Sequence, residues 1–112
     1  MNRGAGGEVL LPSGRRVRLF EVVRGLAGAP ESWAFRFVDA ALGPEIDFEA
    51  LEPDLALLCR EIALPALGPG VGRVVISLAD RETPFGAPAP EAVQLFEAYR
   101  VAGEGSCEWE PF

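Results

Sequence analysis

The sequence predicts an α+β domain: a mostly antiparallel sheet of about five to six strands with one main helix packed on one face. Three observations carry this. Trp33, Phe35 and Phe37 in SWAFRFVD recur at period two, the mark of a strand with one buried face. From Asp47 the period changes, and Phe48, Leu51, Leu55, Leu58, Cys59 and Ile62 take the three-or-four spacing of an amphipathic helix. Towards the C terminus, FEAYRV and SCEWEPF flank the turn AGEG, the pattern of a β-hairpin.

The elements follow in order. EVLL (Glu8 to Leu11) is a short apolar run stopped by Pro12, Ser13 and Gly14, hence a brief strand and a tight connection. RVRLFEVVRG alternates, with Val17, Leu19 and Glu21 on one side and Arg16, Arg18, Phe20 and Val22 on the other. GLAGAPE reads as a loop, and SWAFRFVD as the clearest strand, its three aromatics in the core. Asp47 stands where an N-cap belongs; Pro53 is tolerated in a first turn and so marks the main helix, preceded by a single turn from Asp47. Glu49, Glu52, Asp54, Arg60 and Glu61 fall largely off the apolar stripe, and Pro65 with Gly68, Pro69 and Gly70 ends the helix. GRVVISLAD is β-branched and reads as a strand buried on both faces. ETPFGAPAPEA is a loop, and PEAVQLFEAYRV a short helical turn passing into a strand. In the last hairpin Cys107 and Trp109 face inward, Glu108 and Glu110 outward. The 112 residues suit one domain, with residues 1–7 as a flexible N terminus.

Absent residue types exclude much chemistry. The chain has no histidine and no lysine, and all ten basic side chains are arginine. Ser/His and Cys/His pairs, histidine metal sites, lysine Schiff bases and Gly-Lys-Ser/Thr phosphate loops are therefore ruled out, and no catalytic, cofactor or metal residue is assigned. The glycines of LGPGVGRVV match neither dinucleotide nor mononucleotide loop spacing and precede a strand, which makes them a turn. A net charge of −7 disfavours nucleic acid. No apolar run approaches the roughly 20 residues that span a bilayer, so no membrane insertion is expected. The start MNRGAGGEVLLPSG carries no secretory leader, so the chain as written is expected in the cytoplasm or in a particle, or in the periplasm or medium if a leader has been removed.

The charge is uneven. Residues 1–44 hold six arginines against four carboxylates, and residues 45–112 four against thirteen. Arg16 and Arg18 on the basic side, and Glu108 and Glu110 on the acidic hairpin, are the interface candidates for self-association or a neighbouring subunit. Two strand positions apart, the glutamates lie about 6 to 7 Å from each other. That spacing suits a carboxylate pair acting on a sugar, but at a chain end it reads as a solvated edge that discourages aggregation. Asp80, Arg81 and Glu82 form the most site-like polar cluster, with an ion pair closing the strand as the plainer reading. Cys59 and Cys107 both point inward, which leaves open a bridge or two buried thiols.

ALLCREIALPAL (Ala56 to Leu67), VVISLADR (Val74 to Arg81), FGAPAPEAVQLFEAYRV (Phe85 to Val101) and CEWEPF (Cys107 to Phe112) together resemble a small alphaproteobacterial family of unknown function. Its members are sometimes labelled acetolactate synthase, yet those enzymes are long multidomain proteins that bind thiamine diphosphate through a motif this chain lacks. Many members have a leader and a cysteine in each corresponding motif, so the resemblance implies a Cys59–Cys107 disulfide. It brings no catalytic residues. Two non-enzymatic functions are expected: a structural subunit of a phage-like particle such as a gene transfer agent, which this bacterial group produces, or a secreted or periplasmic binding module stapled by its disulfide. The missing leader and the charge polarity favour the first, and the paired cysteines the second.

Overall fold

The computed structural model describes residues 7–103 and 105–111. Apart from Gly7, the flexible start expected over residues 1–7 lies outside them, as do Glu104 of the expected turn and Phe112. Six strands form one sheet in the order β1-β2-β3-β4-β5-β6. They are β1 (Glu8–Leu10), β2 (Arg16–Leu26), β3 (Ala29–Val38), β4 (Arg73–Ala79), β5 (Gln94–Ala102) and β6 (Ser106–Glu110). Helix α1 (Phe48–Leu58) runs on through a π-helical turn, Cys59–Ala63, into a last helical turn, Leu64–Ala66.

This corrects the expected layout of a mostly antiparallel sheet with a helix laid on one face. Sheet dominates, at 43% strand against 18% helix, and the strands curl into a half-barrel, α+β-like in content. One apolar core fills the curl, drawing Val9, Val17, Phe35, Phe37, Val74, Ile76, Leu78, Leu95 and Tyr99 from five strands and Leu51, Leu55, Leu58 and Ile62 from the helix. Four pairings are antiparallel, but β3 and β4 run parallel, with Phe35 opposite Ile76. Period-two patterning locates strands without stating their direction or the curl of the sheet they form.

The curl has local causes. The β2–β3 register slips between Leu19 and Glu21 and again between Arg24 and Leu26. Such bulges bend a strand and increase its twist. The first slip moves Val22 onto the core side and Glu21 onto the opposite face beside Arg36, reversing the sides expected for both. Gly25 occupies the second with φ +87°, and Gly28 takes φ +77° in the tight turn Ala27-Gly28, where a side chain would be strained. The loop expected at GLAGAPE is therefore mostly strand.

Asp47 caps α1 as expected, accepting from the Glu49 N–H at 3.0 Å. Pro53 lies inside the helix rather than at its start. Beyond Leu58 the coil widens so that the Leu64 N–H bonds the Cys59 carbonyl five residues back. Pro65 explains this, because it has no N–H and its ring crowds the carbonyl four residues earlier, and a wider turn accommodates both. Asp54, expected off the apolar stripe, is buried and accepts from the Ser13 N–H and hydroxyl, tying the β1–β2 turn to the helix. Arg15 and buried Asp39, 2.7 Å apart, clamp the same corner.

Cys59, in the wide turn, is bonded to Cys107 on β6, closing a separation of 48 residues. The bridge joins the helix to the edge strand, which otherwise pairs only with β5. On the chain-entropy model such a loop contributes about 4 kcal/mol. Replacing both cysteines by alanine is expected to lower the unfolding free energy in a urea titration by about that amount. An unchanged midpoint would show that the bridge constrains nothing in the unfolded chain.

Candidate functional site

The half-barrel has two contrasting faces. Cross-strand partners share a face, so the registers assign the outer one: Val23, Ala34, Val75, Ala98 and Glu110 form one row, and Glu21, Arg36, Ser77 and Phe96 the next. Small residues at its centre leave room for larger neighbours. Phe85 and Phe96 stand about half exposed over a shallow pocket of about 260 Å³, floored by Ala34, Val75 and Ser77.

Arg36 organises this face. Only 6% exposed, its guanidinium lies 4.9 Å from the Phe20 ring centroid and 5.3 Å from that of Phe85. It pairs with Glu21 and donates to the Thr83 hydroxyl at 2.8 Å. A planar, permanently charged group is suited to this sandwich, since it stacks on both rings while its edge reaches the carboxylate. The arrangement pins the loop after β4 onto the sheet.

Apart from Arg16, the residues singled out from the sequence are engaged rather than free. Arg18 pairs with Glu82 at 2.7 Å, Glu110 with Arg73 at 2.8 Å, and Glu108 with Arg100. Arg73 and Arg100 are direct cross-strand partners, so the two glutamates offset a like-charge contact. Arg16 is exposed. The trio Asp80, Arg81 and Glu82 divides: Asp80 accepts from Arg81 at 3.1 Å and from the Val93 N–H at 3.2 Å, while Glu82 reaches away to Arg18. The Arg81 hydrogen bond draws the Asp80 carboxyl below its ordinary range. This pair closes the strand end and holds both ends of the loop.

On the inner face a groove of about 470 Å³ opens between α1 and the β5–β6 hairpin. Glu49, Glu52 and Pro53 line it from the helix, and Glu97, Tyr99 and Trp109 from the sheet. Trp109 corrects the expectation of a core residue. It shares the inward face with Tyr99 but is 59% exposed, because β6 is the edge strand and the groove separates it from the helix. Its indole N–H donates to Glu97 at 2.6 Å, and Glu97 is itself only 8% exposed. Burial, reinforced by Glu97 and Glu52, pushes the Tyr99 phenol well above its ordinary value. Arg36, Glu97 and Tyr99 escape sequence reading because each alternates correctly within a strand, and pattern alone does not show which faces are covered.

Two measurements follow. Tyr99 is the sole tyrosine, so absorbance at the phenolate band reads it alone. With its folded pKa above the ordinary 10.0, the folded chain keeps a proton that the unfolded chain loses. Its stabilising contribution is whole below pH 10 and disappears as pH rises through and beyond that value; Tyr99→Phe flattens this alkaline loss. Phenolate appearing at the same pH with and without denaturant would contradict the burial. Arg36→Ala is expected to cost about 2 kcal/mol and to speed proteolysis between Glu82 and Ala92, read by denaturation and by the site of first cleavage.

No curated protein matches this chain, and no solved structure matches it. The DUF6497 model, described as a family of unknown function, matches residues 1–112, and the chain belongs to that family.

Proposed function

We propose that this chain is a non-enzymatic module that acts by protein–protein contact, stapled by its disulfide, in the alphaproteobacterial setting that the sequence resemblance implies. Its first partner is a second copy of itself, met through the outer face. The observation that carries this reading is the electrical balance of that face. Arg18–Glu82, Arg36–Glu21, Arg73–Glu110 and Arg100–Glu108 neutralise one another there, although the chain as a whole carries −7. An apolar patch containing Phe85 and Phe96 and bordered by balanced pairs can meet its own copy about a two-fold axis without repulsion.

The disulfide favours an oxidising compartment, where such bonds persist. The phage-like particle reading drew on a basic patch meeting an acidic one. Arg18 and the hairpin glutamates already spend their charge within the chain, which weakens that reading and supports the stapled binding module.

Sedimentation across a concentration series is expected to show a dimer, and Phe96→Glu, at an exposed position, to weaken association more than about tenfold. A monomer at every concentration would overturn self-association. Recovery of the native protein in dense particles would restore the subunit reading.

A further inference from the structure

We propose that the groove between α1 and the β5–β6 hairpin binds an organic cation that carries N–H donors on an apolar stem, an alkylammonium or a guanidinium. It lies on the opposite side of the sheet from the self-association face and stands independently of it.

The walls have matching chemistry. Glu49 and Glu52, both exposed, stand on the helix side, and Glu97 on the sheet side. Residues 47–66 hold five carboxylates (Asp47, Glu49, Glu52, Asp54, Glu61) against Arg60 alone, which focuses negative potential at the mouth. The bond from the Trp109 indole to Glu97 fixes the ring in one orientation while leaving it 59% exposed, available for a cation over its face.

A second observation is independent of the carboxylates. Tyr99 is only 3% exposed, lines the groove, and its hydroxyl has no hydrogen-bond partner among the described residues. The phenol oxygen opens onto the groove, where it is free to accept from a ligand. An N–H donor from a ligand meets its oxygen lone pairs, and the apolar stem lies along Pro53 and the indole. The carboxylates do not converge as metal ligands do: among the described residues no group of three or more His, Cys, Asp or Glu is placed to hold a metal ion. Spread negative charge beside an aromatic face suits an organic cation with N–H donors and an apolar stem instead.

The test uses the folded, disulfide-bonded protein and follows its two indole N–H signals by ¹H–¹⁵N spectroscopy, assigned through Trp109→Phe. One arm adds agmatine, and the other adds a blocked Gly-Arg-Gly peptide, separating a free amine from a basic protein side chain. The Trp109 signal is expected to move saturably in at least one arm while Trp33 stays still. The double variant Glu49→Gln, Glu52→Gln is expected to weaken binding about tenfold or more without altering the melting curve. Tyr99→Phe is expected to weaken it about fivefold. No saturable shift in either arm, or unchanged affinity in the glutamine variant, overturns the proposal.

Discussion

The parallel pairing of β3 with β4 governs the rest of the molecule. Two neighbouring strands that point the same way oblige the chain to return along the length of the sheet between Val38 and Arg73, and a helix is the compact way to do so. That return puts Leu51, Leu55 and Leu58 over Phe35, Phe37 and Ile76, so the crossover and the core are one feature. All other strands join this pair by antiparallel neighbours on either side, which extends the sheet outward until it curls.

Because the helix occupies only one side, the chemistry of the two faces diverges. The inner side combines the apolar core with the carboxylates of the helix and ends in the open groove at Trp109. Among the described residues the outer side has no second layer of secondary structure. Its central positions are therefore small, Ala34 and Ala98, and the loop held by Arg36 and Asp80 shields part of it. Arginine does on that side what a hydrophobic layer does on the other: it links loop to sheet and strand to strand.

Much of this was legible in the sequence because period and punctuation are local properties. The three aromatics of β3, the stripe from Leu51 to Ile62, the Asp47 cap and the closing hairpin all followed from spacing. The parallel pair did not follow, because alternation does not state direction and spacing does not say that the strands flanking the helix are neighbours. What stayed hidden depends on contacts between distant residues. Asp54 looks like any solvated helix carboxylate until Ser13, 41 positions away, arrives to donate to it. Trp109 looks like core until the strand carrying it proves to be the edge. Arg36 looks like the wet side of a strand until the loop after β4 folds over it.

An all-arginine complement also makes the molecule electrically inert over a wide range of conditions. With no histidine or lysine, both cysteines oxidised and the only phenol shifted upward by burial, no side chain changes its charge between the carboxylates and the alkaline limit. Histidine, the side chain through which proteins most often sense pH near neutrality, is absent here, which turns attention to ligand, partner or thiol exchange as the means of switching.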